Sequence, residues 1–165
     1  MRKIALGGTF DHFHKGHMKL IDRAFKERYH VIIGVTTDSF AKKLGKADIE
    51  PFELRIKKIR EYIERKYLGK SFSIIPLNDP FGPIIEDNEI VALVVSPETL
   101  ARGLEACEIR ERKGLNHLDL YIVPFVLAED GLPISSTRIR KGEVDQSGRM
   151  LKSFNKDELR GEGKI

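Results

Sequence analysis

The 165-residue chain contains one cysteine, Cys107, and one glutamine, Gln146. A single thiol excludes an intramolecular disulfide and any cysteine-rich zinc site. No apolar run, Ile90 to Val95 among the longest, approaches the roughly 20 residues that cross a bilayer. Met1-Arg2-Lys3 leads directly into a strand-like run, without a signal-peptide pattern. These absences lead us to expect a cytoplasmic protein with no membrane partner. Scarce glutamine beside abundant Lys, Arg and Glu is a hyperthermophile bias, so a thermophilic origin is expected. There is no G-x-S-x-G elbow and no Cys/His pairing that would argue for covalent catalysis.

What is present reads as one globular domain. The chain is 41% hydrophobic and 33% charged, long enough to bury roughly 70% of its unfolded surface. A net charge of +4 suits anionic small molecules. The basic balance makes a non-catalytic RNA-binding module the alternative of a different class, although +4 is modest for nucleic acid.

Ile4–Leu6 reads as a first strand, and Lys15 to Glu27 carries apolar residues near helical period. Tyr29 to Val35 is β-branched and completes a right-handed parallel βαβ unit. Ser39 to Glu50 reads as a basic loop, with Lys42, Lys43 and Lys46 around Gly45. Pro51 then opens a helix running to about Tyr67. Strands are expected at 72–76, 90–95 and 120–127, with a helix over 98–113 capped by Ser96. A last helix is expected to begin at Ser135-Ser136-Thr137. The sum is an α/β fold: a doubly wound, five-stranded parallel sheet in three layers. Residues 1–144 make the domain, and the polar stretch 145–165 is expected to pack loosely on it.

Sheets of this kind bind ligands beyond the carboxyl ends of their strands. Four features fall there: the Gly7–His17 turn, the basic loop, Ser96, and Ser135–Thr137. Gly7-Gly8-Thr9-Phe10-Asp11-His12-Phe13-His14-Lys15-Gly16-His17 is strand, glycine turn, helix start, the layout of an anion site. It is neither the dinucleotide fingerprint nor a P-loop. His12, His14 and His17 match no standard zinc spacing, so no metal ligands are assigned. Ser135-Ser136-Thr137-Arg138-Ile139-Arg140 places hydroxyls and arginines where several phosphate oxygens could be met at once.

These stretches resemble the paired signatures of the nucleotidyltransferase superfamily, G-T-F-D-x-x-H-x-G-H and I-S-S-T-x-I-R. Within it, Gly34-Val35-Thr36-Thr37-Asp38, Ile49-Glu50-Pro51-Phe52-Glu53-Leu54-Arg55 and Val94-Val95-Ser96-Pro97-Glu98-Thr99 are similar to the archaeal and eukaryotic type of phosphopantetheine adenylyltransferase. The resemblance implies a Rossmann-like nucleotidyltransferase fold and two substrates, ATP and 4′-phosphopantetheine, with Mg²⁺ accompanying ATP. It implies His17 on the α-phosphate, His14 on ATP phosphates, Gly8 in the binding site, and Thr9 and the Phe10 N–H around the acceptor phosphate. Lys42 would bridge acceptor and α-phosphate, and Ser135, Ser136, Thr137 and Arg138 would hold the distal phosphates. Arg102 and Arg110 are further candidates for phosphate contact, and Asp11 has a structural or a ligand-positioning role. Related alternatives are a cytidylyltransferase for an alcohol phosphate and an adenylyltransferase for a nicotinamide or flavin mononucleotide.

Overall fold

The computed structural model describes residues 1–151. Five strands form one sheet: β1 (Lys3–Gly8), β2 (His30–Thr36), β3 (Phe72–Leu77), β4 (Ile90–Val95) and β5 (Asp119–Ile122). Their order is β3-β2-β1-β4-β5, and every pairing is parallel. The chain winds outward from β1 through β2 to β3, then returns to the other side of β1 for β4 and β5. The switch point therefore lies between β1 and β4, where a crevice opens beyond the strand ends.

Strand alternation divides the core into two layers. Ile4, Leu6, Val31, Ile33, Val35 and Val94 face α1 (Lys15–Phe25) and α3 (Phe52–Lys66), meeting Ile21, Ala24, Ile59 and Ile63. Ala5, Ile32, Leu93 and Val95 face α4 (Leu100–Arg112) and a 3₁₀ turn at Gly82–Ile85. Ile59 and Ile63 are fully buried, and truncating either to Ala costs about 2–5 kcal/mol at such sites. Pro76 is accommodated because β3 is an edge strand.

Several boundaries differ from the sequence expectation. Residues Asp38–Lys43 form a short helix, α2, capped by Thr37 Oγ1 accepting from the Phe40 N–H at 3.2 Å. Asp38 in its first turn and Lys42 and Lys43 in its last suit the helix dipole. Ser96 is not a cap: Thr99 is the N-cap residue of α4, and Thr99 Oγ1 accepts from the Ser96 N–H. β5 stops at Ile122, with Val123 N–H donating to Val95 as the last link before Pro124, which has no N–H to give.

The last described helix, α5 (Ser136–Arg140), sits over a small cluster of Ala128, Ile134 and Val144. Residues 145–151 are not loose. Val144 bridges Met150, Asp145 Oδ1 accepts from the Ser147 and Arg149 N–H groups, and the Lys15 N–H donates to Gln146 at 3.0 Å. The remainder of the expected loose segment lies outside the described residues. Among the described residues no helix is long and apolar enough to cross a membrane.

Candidate active site

The His-x-Gly-His element builds its own helix start. His14 is the N-cap of α1, and its Nδ1 accepts from the Gly16 N–H at 3.0 Å. His17, three residues on, accepts the His14 N–H on its own Nδ1 at 3.2 Å. This is a reciprocal capping box with a histidine in place of the usual glutamate. The two rings stack at 3.7 Å, and Phe13 also stacks against His17 at 5.8 Å. Glycine is required at position 16, because a Cβ there would stand 2.8 Å from the His14 ring.

The caps fix the protonation of both rings. Each Nδ1 is an acceptor, so each neutral ring carries its proton on Nε2. Burial opposes protonation: it lowers the His14 pKa to about 4 and holds His17 well below the usual histidine value, with the neighbouring His14 acting in the same direction. At neutral pH both are hydrogen-bond donors, not cations and not bases awaiting a proton.

The turn before α1 is strained. Phe10 and His12 take left-handed backbone angles, φ 55° and 46°, unusual for residues with side chains. Asp11 between them is a buried hub. Its Oδ1 accepts from the Glu50 N–H at 2.8 Å, its Oδ2 from Arg140 Nη1 at 2.7 Å, and its carbonyl from Ser136 Oγ at 2.6 Å. One carboxylate thus joins the first turn, the loop before α3 and α5, while Asp11 also lines the cleft.

Together these elements wall a cleft of about 520 Å³ that includes Gly8, Thr9, Phe10, His14, His17, Lys46, Glu98, Ser135, Ser136, Thr137 and Arg140. All eight expected phosphate ligands other than Arg138 and Lys42 line it: Gly8, Thr9, Phe10, His14, His17, Ser135, Ser136 and Thr137. A second, apolar slot of about 140 Å³ opens between β1, β2, β4 and α4. Its walls include Ile32, Ile75, Leu77, Phe81, Leu93 and Ala106, and it meets the cleft at Gly7, Gly8, Thr9, Lys46 and Thr99.

Three cationic assignments change. Lys42 stands on the last turn of α2 and is absent from the cleft wall; it lines an adjoining depression that shares Gly45, Lys46, Ala47 and Ile49 with the cleft. The lysine that reaches the cleft is Lys46, whose Nζ donates to Thr9 Oγ1 at 2.8 Å. Desolvation of its ammonium lowers its pKa, Glu98 and Asp11 raise it, and Arg102 and Arg140 lower it. Arg138 turns away from the cleft. It bonds Glu143, Asp130 and the carbonyls of Leu132 and Pro133, bracing the loop before α5. Arg140, two residues on, takes the cleft position. Arg110 is buried far from the cleft, donating to the carbonyls of Ile84, Asp87, Ile90 and Asn116. Arg102 lines the apolar slot.

A family model described as cytidylyltransferase-like matches residues 5–142, the span that carries the whole cleft wall. A phosphopantetheine adenylyltransferase from Methanopyrus kandleri is 46% identical over 88% of this chain and 92% of its own length. Another, from Methanothermobacter thermautotrophicus, is 44% identical over 90% and 89%. The chain belongs to the phosphopantetheine adenylyltransferases of the cytidylyltransferase-like family. A solved structure of a protein of unknown function from Archaeoglobus fulgidus has the same fold at a TM-score of 0.66 and 37% identity, covering 73% of this chain and 88% of that one. As a nucleotidyltransferase of this family, the protein is an enzyme whose two signatures, 129 residues apart at Asp11 and Arg140, meet in one cleft.

Proposed function

We propose that this enzyme transfers the adenylyl group of ATP to 4′-phosphopantetheine, giving dephospho-coenzyme A and pyrophosphate. An oxygen of the acceptor phosphate attacks the α-phosphorus, the bond from that phosphorus to the β-phosphate bridging oxygen breaks, and its electron pair leaves with pyrophosphate. The nucleophile is already ionised at neutral pH, so no base is needed. Catalysis then rests on positioning and on neutralising charge as it builds.

One observation carries this reading: a polar cleft and an apolar slot meet at Thr9 and Lys46. ATP fits the cleft, with neutral His17 donating to the α-phosphate, His14 to neighbouring phosphate oxygens, and Ser135, Ser136, Thr137 and Arg140 around the distal phosphates. The acceptor phosphate sits against Thr9 and the Phe10 N–H, and the slot takes the pantetheine arm, its gem-dimethyl and methylene groups against the apolar walls. Lys46, between the two, replaces Lys42 as the bridge from acceptor to α-phosphate. Glu98 is the one cleft carboxylate without an ion pair among the described residues. Mg²⁺ is proposed to travel with ATP, held chiefly by phosphate oxygens and water with Glu98 beside it, and to supply charge neutralisation there. The cytoplasm, where both substrates occur, is the proposed location.

The test is pyrophosphate release over a panel of substrate pairs: ATP with 4′-phosphopantetheine, CTP with glycerol phosphate, and ATP with nicotinamide or flavin mononucleotide. Turnover confined to the first pair is expected. Greater turnover with any other pair overturns the assignment.

A further inference from the structure

Arg55 has no part in the phosphate ligands named above, yet it is fully buried and stands directly behind them. Its guanidinium makes four hydrogen bonds: Nη1 to the Thr9 carbonyl at 2.7 Å and the Thr36 carbonyl at 2.8 Å, Nε to the Glu50 carbonyl at 2.8 Å, and Nη2 to Asp38 Oδ1 at 2.8 Å. These acceptors lie at the ends of β1 and β2, just before α3, and in the first turn of α2. Among the described residues its one charged partner is Asp38, whose side chain is 58% exposed. A buried cation so weakly compensated is a poor way to fill a core, since an apolar side chain of similar volume is often as stabilising or more so.

The acceptors explain what the arginine does there. Thr9 Oγ1 receives both Lys46 Nζ and Thr36 Oγ1, the latter at 3.3 Å. Glu50 gives its N–H to Asp11 and accepts the His12 N–H on Oε1 at 2.8 Å. Each anchored residue therefore bounds the strained Phe10–His12 turn or the Lys46 contact. A turn held in left-handed angles relaxes unless its ends are fixed. A planar fork of five donors on one rigid group suits the task, because it ties three chain segments together without a flexible joint.

We propose that Arg55 is a positioning residue for transfer: through the Thr9, Thr36 and Glu50 carbonyls it holds Thr9 and Lys46 where the acceptor phosphate must sit. It touches neither substrate. His14, His17 and the Ser135–Thr137 hydroxyls make no direct bond to it; its link to the nucleotide side runs only through Glu50 and Asp11, so the acceptor side, bonded to it directly at Thr9, responds more strongly. This inference rests on the adenylyl-transfer reading for the identity of the acceptor.

The experiment compares Arg55→Lys with Arg110→Lys. Both replace a buried arginine that braces backbone carbonyls, but Arg110 is remote from the cleft. Steady-state kinetics are taken well below both melting temperatures, varying each substrate in turn. Arg55→Lys should lower kcat by about 10- to 100-fold, as a small misplacement of reacting groups does, and raise KM for 4′-phosphopantetheine by more than KM for ATP. Arg110→Lys should lower the melting temperature alone. Kinetic constants in Arg55→Lys matching wild type, or changed no more than in Arg110→Lys, overturn the proposal. Should Arg55→Lys fail to fold, Asp38→Asn removes one exposed anchor of the fork; a raised acceptor KM and lowered kcat support the proposal and unchanged values overturn it. A turnover-free arm separates this inference from the substrate assignment. Inorganic phosphate should shift the Thr9 and Phe10 backbone amide signals of wild type at concentrations that leave those of Arg55→Lys unmoved. If wild type makes no dephospho-coenzyme A, the substrate reading fails, while equal phosphate responses in both proteins overturn the role of Arg55.

Discussion

Lys46 Nζ lies 2.8 Å from Thr9 Oγ1 and joins the loop before α3 to the end of β1. The contact places a cation where two phosphates must approach each other. Lys46→Ala should lower kcat by about 10²- to 10³-fold, the cost of losing one preorganised charge-stabilising donor. Lys42→Ala should stay within about twofold of wild type, as exposed surface substitutions do. Steady-state turnover of the two variants decides between the lysines, and the reverse ranking would restore Lys42.

Arg138 and Arg140 separate stability from catalysis. Arg138 pairs with Glu143 and Asp130 and is 13% exposed. Arg138→Ala should cost about 3 kcal/mol of stability, as breaking a buried pair does, and leave turnover of the folded fraction nearly unchanged. Arg140→Ala should instead depress turnover, since it removes a cleft cation and one of the three bonds to Asp11. Urea melts and kinetics on both variants check this.

Most of the sheet is legible in the sequence because parallel strands buried on both faces are near-continuous apolar runs. Ile90–Val95 matches β4 at both ends. The His-x-Gly-His and Ser-Ser-Thr stretches are equally legible, since caps are local chemistry. The lysine was not. Choosing between Lys42 and Lys46 required seeing that Thr37 caps a helix, with Asp38 at its start and Lys42 and Lys43 at its end. That pattern is local and could have been read: it removes 38–43 from the loop and leaves Lys46, after Gly45 at φ 80°, as the loop lysine. Arg138 against Arg140 was not readable, because two arginines two apart on a short helix point differently and only the partners, Asp130 or Asp11, decide. Arg55 was hidden for a related reason: its acceptors are backbone carbonyls, which leave no mark in side-chain patterns.

Acid should unfold the protein earlier than carboxylates alone would. His14 titrates at 6.5 unfolded and at about 4 folded, and the His17 and His30 values are also lowered by burial. Between those pH values the unfolded chain binds more protons, so stability is full above about pH 6.5 and falls as pH drops toward 4. His14 alone contributes roughly 3 kcal/mol over that window. Urea midpoints at pH 7 and pH 5 should differ accordingly. His14→Asn, which keeps an N-cap acceptor without a titrating group, should flatten the slope; an unchanged slope would contradict the neutral buried ring.

The scarcity of glutamine and the wealth of Lys, Arg and Glu should appear as heat resistance. Scanning calorimetry should give a Tm well above the ~45–65 °C of ordinary mesophile domains. A value inside that range removes the thermophile reading.

The most direct measurement is mass-spectrometric detection of dephospho-coenzyme A after purified protein is mixed with ATP, Mg²⁺ and 4′-phosphopantetheine, run in parallel with a folded His17→Ala variant. Wild type should form the product with one pyrophosphate per turnover, and the variant should be slower by about 10²- to 10³-fold. No product from wild type, or undiminished product from the variant, would contradict adenylyl transfer at a cleft whose α-phosphate donor is neutral His17.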